Sequence, residues 1–379
     1  MQFLFSHPVR IQPYFGYRNR ERLRISVRAL RQKRREFNAS GKWQAMRTML
    51  SQFASKEAME VSVALEIEHG GETTLHDGVT DKEGFVHFDV ALEPAAELPE
   101  RTSWESVVIR WSNSDGEQEA TGQVLVPGRH AGLGVISDID DTIIETGITG
   151  NWRDVARNWR RVLAQMPDER LLVPGADIFY QAMGGGEVLP AGSAHAGERH
   201  RATANPFFYV SSSPWNLFSY LVAFQKGRGL PLGPIALRDW GFNRETLGKA
   251  SHGAHKLAAM DTILGTYPEM QFALMGDDTQ GDLVAFGKMV ESHPGRIRAV
   301  LIRQAGEAMS SEELAAKATI EAARVPLWLG SDYSTGAAFL EEIGLRGESA
   351  AEELAKTIET KGKAPPGDPA PPTGKASSS

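Results

Sequence analysis

The chain contains no cysteine, which removes disulfides, thiolate metal ligands and cysteine nucleophiles from consideration. It also lacks an apolar run near the ~18 residues that a membrane-crossing helix needs. The opening residues MQFLFSHPVRIQPYFGYRNR do not show the charged start, apolar stretch and small-residue cleavage site of a secretory leader, so a cytoplasmic protein is expected. No internal repeat is evident. With 41% hydrophobic and 23% charged residues, the 379 residues suit a globular protein with room for two domains, each with its own core.

Charge is unevenly distributed. The net charge is −7, yet residues 1–50 hold twelve Lys/Arg against two Glu, an excess of +10 that leaves the rest at −17. A basic arm on an acidic body can meet anionic lipid or nucleic acid. In Arg22-Leu23-Arg24-Ile25-Ser26-Val27-Arg28, however, apolar residues alternate with polar ones, as in a strand with one buried and one solvated face. Reversible contact with an anionic membrane through Arg22, Arg24 and Arg28 is expected if the arm is functional. No nucleic-acid partner is expected, and oligomeric state is left open.

Period-two patterning dominates residues 20–127, with Val61/Val63/Leu65/Ile67, Val86/Phe88/Val90, Val107/Ile109/Trp111 and Val124/Val126 separated by Gly and Asp turn signals. It predicts a small N-terminal β-sandwich-like domain over 1–130, interrupted by a helix through Trp43, Met46, Leu50 and Phe53. Beyond Pro127-Gly128, apolar runs alternate with amphipathic helices, the pattern of an α/β domain with a parallel sheet, over 131–347. Strands are expected at Leu133–Ser137, Phe207–Val210, Phe272–Met275, Ala299–Ile302 and Pro326–Leu329. Helices are expected at Trp152–Met166, Gly175–Met183, Trp215–Lys226, His255–Tyr267 and Leu283–Ser292, with a flexible loop over Gly184–Asn205. Residues 348–379 read as a disordered Pro/Lys/Ser tail.

The chemistry concentrates in Gly134-Val135-Ile136-Ser137-Asp138-Ile139-Asp140-Asp141-Thr142. A buried strand delivers carboxylates to the end where open α/β sheets form their sites. Crowded carboxylates repel one another unless a cation is present, and hard oxygen donors favour Mg²⁺. Asp138 can act as a nucleophile toward phosphorus. Asp140, on the same side of an extended chain, can protonate the leaving oxygen and deprotonate water. Asp141 reads equally well as a turn or cap residue.

Three further segments fit. Phe207-Phe208-Tyr209-Val210-Ser211-Ser212-Ser213-Pro214 ends a strand in hydroxyls before a helix, suiting a phosphoryl oxygen, although Ser is also an ordinary cap. Lys256 can neutralise phosphoryl charge, although a lone helix lysine is usually solvated. Phe272-Ala273-Leu274-Met275-Gly276-Asp277 brings Asp277 to complete a metal site, with Gly276 permitting close backbone approach. Asp282 can orient Lys256 or a metal-bound water from behind the ligands. His252 and His255 have metal-like spacing, but the nearby carboxylates suit the ion better.

The order DxDxT, strand-Ser, Lys, GDxxxxD resembles the haloacid dehalogenase (HAD) superfamily over residues 131–330. The resemblance implies a HAD-like Rossmannoid sheet, an aspartyl-phosphate on Asp138, and Asp140 as acid/base with its backbone carbonyl on Mg²⁺. It further implies Ser211, Lys256 and Thr142 on the phosphate, and Asp138, Asp140 and Asp277 as the metal set. The segments SDIDDT, YVSSSPWNL, LPLGPIALRDWG and LMGDDTQGD are similar to the actin-patch phosphatidate phosphatase catalytic-domain family and its bacterial relatives. That implies hydrolysis of phosphatidate to diacylglycerol by a peripherally membrane-associated enzyme. Two other readings stay open: a phosphatase for a soluble phosphomonoester or nucleic-acid end, and a weakly catalytic membrane- or protein-binding module.

Overall fold

The computed structural model describes residues 7–31, 56–139, 176–184, 199–238, 249–278, 281–304, 308–331 and 333–345. The expected helices at 43–53 and 152–166, Asp140, Asp141, Thr142, the 348–379 tail and most of the 184–205 loop lie outside them. Elements are numbered among the described residues.

Nine strands come first: β1 (Val9–Pro13), β2 (Gly16–Arg18), β3 (Arg22–Arg31), β4 (Lys56–Glu57), β5 (Ser62–His69), β6 (Glu72–Val79), β7 (Phe85–Ala91), β8 (Ser103–Asn113) and β9 (Gly116–Val126). They form one hydrogen-bonded sheet, β1-β3-β2-β9-β8-β5-β6, with β4 and β7 also pairing β3. All pairs are antiparallel except β2–β9. The period-two reading holds at residue level, since Leu23, Ile25 and Val27 are buried alongside Val63, Leu65, Val107, Ile109 and Val124. Residues of β1, β3, β5, β7, β8 and β9 share that one core. The β8–β9 hairpin closes with Gly116 at φ 103°, a conformation that costs glycine little.

The second sheet is wholly parallel. It contains β10 (Leu133–Asp138), β12 (Phe207–Pro214), β13 (Ile235–Arg238), β14 (Gln271–Asp277), β15 (Ile297–Arg303) and β16 (Leu327–Gly330), in the order β13-β12-β10-β14-β15-β16. The helices are α1 (Ala176–Gly184), α2 (Phe218–Gly227), α3 (Lys249–Thr266), α4 (Asp282–Ser292), α5 (Ser311–Ala322) and α6 (Tyr333–Glu342), with a 3₁₀ turn at Trp215–Leu217. Apolar clusters form on both sheet faces, Val135, Tyr209, Ala273 and Leu301 in one and Ile136, Phe208, Leu274 and Val300 in the other, which explains why the strands read as continuous apolar runs. No helix among the described residues is long and apolar enough to cross a membrane.

Two expectations need correction. Arg199–Arg201, inside the predicted flexible loop, form strand β11, which pairs antiparallel with β8. Arg199 Nε donates to Glu105 at 2.8 Å, and the Ala202 amide donates to Thr102 O at 3.1 Å. Arg22, Arg24 and Arg28 do not form a common solvent-facing row. Arg28 is 7% exposed, because its guanidinium is used in internal contacts, while Arg22 and Arg24 both pair with Asp89.

Candidate active site

The parallel strands step outward from β10 to β12 and β13, after which the chain returns to the other side of β10 for β14, β15 and β16. The order therefore reverses between β10 and β14, the place at whose C-terminal strand ends open α/β sheets form their sites. The last residues of these strands are Asp138 and Asp277, 3% and 0% exposed. Burial of a carboxylate is expensive without compensating partners.

Asp282 begins α4 and is fully buried. Its Oδ1 accepts from Lys256 Nζ at 2.5 Å and its Oδ2 from the Asp277 amide at 3.2 Å. Both oxygens are thus engaged with the residues beside it. The turn requires Gly276, since a Cβ there would run into the Asp282 carboxylate.

Lys256, on α3 and 3% exposed, also lies 3.0 Å from Asp138 Oδ1. Burial pulls its pKa down, but the charges of Asp138 and Asp282 and their hydrogen bonds outweigh that and raise it above the ordinary lysine value. The ammonium is a fixed positive charge between two carboxylates.

Ligand oxygens of Asp138, Asp277 and Asp282 lie within 4.8 Å of one another. Three carboxylates gather in a desolvated site, and every acidic donor is a hard oxygen. That set fits a divalent cation. Among the described residues this is the group of its kind, and His255 does not belong to it.

The serine segment sits beside it. Val210 is the register partner of Asp138, which puts Ser211 one residue beyond the carboxylate on the neighbouring strand. The β12–β13 register shifts between Val210 and Pro214, and Ser211, Ser212 and Ser213 lie buried in that stretch at the end of β12. The Ser213 amide donates to Ser211 Oγ at 3.0 Å. Asp138, Lys256, Asp277 and Asp282 are brought together and Ser211 is brought alongside, whereas Asp140 and Thr142 fall outside the described residues.

Sequence reasoning missed one contributor. Tyr180 on α1 is buried, and its hydroxyl lies 2.6 Å from Ser137 Oγ, which donates to Asp138 O at 2.7 Å. Since Ser137 spends its proton on the carbonyl, Tyr180 is the donor between the hydroxyls. This ties the backbone of Asp138 to a helix, and no local sequence pattern announces it.

Fold and cluster together define an α/β protein with a metal-competent acidic site at the switch point of a parallel sheet. Residues 133–304 match the family described as phosphatidate phosphatase APP1, catalytic domain. The matched span runs from the first residue of β10 to just past β15 and includes every described residue of the cluster. Phosphatidate phosphatase APP1 of Saccharomyces cerevisiae is 30% identical over 179 residues, 47% of this chain and 27% of the yeast protein. An uncharacterized protein of Schizosaccharomyces pombe is 25% identical over 227 residues, 59% of this chain and 34% of that protein. The chain therefore spans about a third or less of the length of these relatives. A family two carbohydrate esterase from Cellvibrio japonicus aligns over 85% of this chain and 96% of its own, at 11% identity and a TM-score of 0.16, too distant to bear on the fold.

Proposed function

We propose that this chain is a Mg²⁺-dependent phosphomonoester hydrolase of HAD type that converts phosphatidate to diacylglycerol and phosphate. The observation that carries the reading is Lys256 held between Asp138 and Asp282 at the switch point, inside the residues that match the catalytic-domain family. A positive charge beside a strand-end carboxylate suits attack on an anionic phosphoryl group, because it offsets the charge that would repel the nucleophile.

In this mechanism an Asp138 carboxylate oxygen attacks phosphorus, the phosphorus–oxygen bond to the glycerol breaks, and Asp140 gives its proton to the departing oxygen. Asp140 then takes a proton from water, whose oxygen attacks phosphorus and releases phosphate from Asp138. Lys256, Ser211 and Thr142 hold the phosphoryl oxygens. Asp282 keeps the Lys256 ammonium in place. Mg²⁺, held by Asp138, Asp277 and the Asp140 carbonyl, would neutralise phosphoryl charge.

We assign a cytoplasmic location with reversible contact to anionic lipid through the basic N-terminal residues. Of the three arginines considered, Arg22, with a side chain 53% exposed, has the most solvent access. The deciding experiment is a screen of phosphatidate vesicles and soluble phosphomonoesters with the full chain and Mg²⁺. Turnover of phosphatidate above the soluble set supports the assignment. Turnover of soluble esters alone removes the lipid and keeps the chemistry, and no turnover of either class removes both.

A further inference from the structure

The two faces of the parallel sheet each bring a cation to the acidic edge. Lys256 belongs to α3, whose Met260, Ile263 and Leu264 pack with Ile136, Leu274 and Val300 on one face. Its ammonium is engaged by Asp138 and Asp282. The second cation stands on the other face and has no part in the mechanism above.

That cation is Arg303, the last residue of β15. In the β14–β15 ladder Ala273 pairs with Ala299, Met275 with Leu301 and Asp277 with Arg303. Partners in a parallel ladder share a face of the sheet, and every second residue along a strand returns to it. Ala273, Ala299, Met275 and Leu301 all belong to the apolar cluster on the face away from α3. Asp277 and Arg303 continue that row to the C-terminal edge. On its other side Arg303 pairs with Gly330, which brings no side chain to compete for the space. The Asp278 amide donates to Arg303 O at 3.1 Å, so the backbone there is tied to the strand that carries Asp277.

Arg303 is half-buried, with its Nε shielded from water. A partly desolvated guanidinium is costly to keep unless anionic oxygens meet it. Arginine carries five N–H donors in a rigid fork, so it can hold a neighbour and still present donors to a phosphoryl group. Only β14 lies between β15 and β10, and two strand spacings amount to roughly 10 Å. A long side chain from one strand and a phosphorylated carboxylate from the other together cover that distance.

We infer that Arg303 is a second phosphate-binding cation, which reaches a phosphoryl group at Asp138 from the sheet face opposite Lys256. The inference rests on the phosphatase reading above for its kinetic consequence, and phosphate binding tests it separately. The substrate's phosphate would then be gripped from both faces of the sheet, with Asp277 beside Arg303.

The test uses the full chain with Arg303→Met and Arg303→Lys, and with Arg298→Met as a control on the same strand, where Arg298 Nη2 donates to Ile343 O at 3.1 Å. Inorganic phosphate is titrated by calorimetry at saturating Mg²⁺. Arg303→Met should bind it about ten- to a hundredfold more weakly than wild type, the worth of a hydrogen bond to a charged group. Arg303→Lys, which keeps the charge and loses the fork, should fall between the two, and Arg298→Met should match wild type. With a soluble aryl phosphate the loss should appear in KM at little change in kcat, and the Mg²⁺ concentration for half-maximal activity should not move. Unchanged phosphate affinity in Arg303→Met overturns the inference. So does a loss that comes with a raised Mg²⁺ requirement, since Arg303 would then serve Asp277 and not the substrate. Should wild type hydrolyse no phosphomonoester, the phosphatase reading falls, and the calorimetry still decides whether Arg303 holds phosphate. Wild type that binds no phosphate overturns the inference as well. If Arg303→Met does not fold, Arg303→Lys gives the same readouts.

Discussion

The exposed ion pairs of the antiparallel sheet and the acidic edge of the parallel sheet hold charge in different ways. On the antiparallel sheet, Arg22 and Arg24 meet Asp89, and Arg110 meets Glu66 and Glu119, all on partly exposed side chains where solvent screens the attraction. At the edge of the parallel sheet, three carboxylates and one ammonium are buried within reach of one another. Surface pairs can be exchanged at small cost. A buried charged cluster is costly to assemble, and the proposed function gives this one a use.

If that contrast is right, the largest effect follows from Asp138→Asn. Turnover should fall by several orders of magnitude while the fold persists, because the amide cannot form the aspartyl-phosphate. Activity within tenfold of wild type, in a steady-state assay, would place the nucleophile elsewhere. Next comes metal removal. Chelation should abolish turnover, Mg²⁺ should restore it, and Ca²⁺ should inhibit because its looser shell misplaces the phosphoryl group. Full activity in excess chelator would remove the metal from the proposed mechanism.

Lys256→Met sharpens the comparison through stability. Measured by denaturant unfolding in metal-free protein, the loss should be about 3–5 kcal/mol, the usual cost of stripping the partner from a buried charge. A loss below about 1 kcal/mol would make this cluster no different from the surface pairs.

The smallest effect belongs to Asp89→Asn. Burial lifts the Asp89 carboxyl, but hydrogen bonds and charge from Arg22 and Arg24 outweigh it and hold its pKa below the ordinary value. A depressed carboxylate stabilises the fold above its unfolded pKa of about 3.9 and loses that contribution as pH falls through the folded value. With the side chain 43% exposed, the effect at neutral pH should stay under about 1 kcal/mol. It should vanish in acid. A larger loss at neutral pH, or one that persists in acid, would break the contrast between the sheets.

Much of this was legible along the chain, for identifiable reasons. Asp138 and Asp277 each end a mostly apolar strand, and a strand buried on both faces carries its charged residue to the sheet edge. The alternation around Leu23, Ile25 and Val27 likewise marked a half-buried strand. Helix α5 also had a local signature, the capping box of Ser310 and Glu313, which was open to reading and passed over. Other contacts had no local trace. Tyr180 and Ser137 are 43 residues apart, and Arg28 and Asn216 are 188 apart. Strand β11 lay hidden in a stretch whose composition reads as loop, because its pairing is supplied by β8.

The sequence by itself determined the α/β pattern, the strand ends that carry aspartate and the candidacy of Lys256, because hydrophobic periodicity and residue chemistry are local properties. Only the tertiary structure decided that Asp282 holds Lys256 against Asp138, and that Arg28 is buried with its guanidinium on the Asn216 amide oxygen. Those outcomes depend on which surfaces meet. A guanidinium drawn as one of a strand's charged residues becomes internal once Asn216, following a strand of the other sheet, offers it an amide oxygen and Phe85, on the neighbouring strand of its own sheet, an aromatic face, and no pattern along one strand specifies what will pack against it.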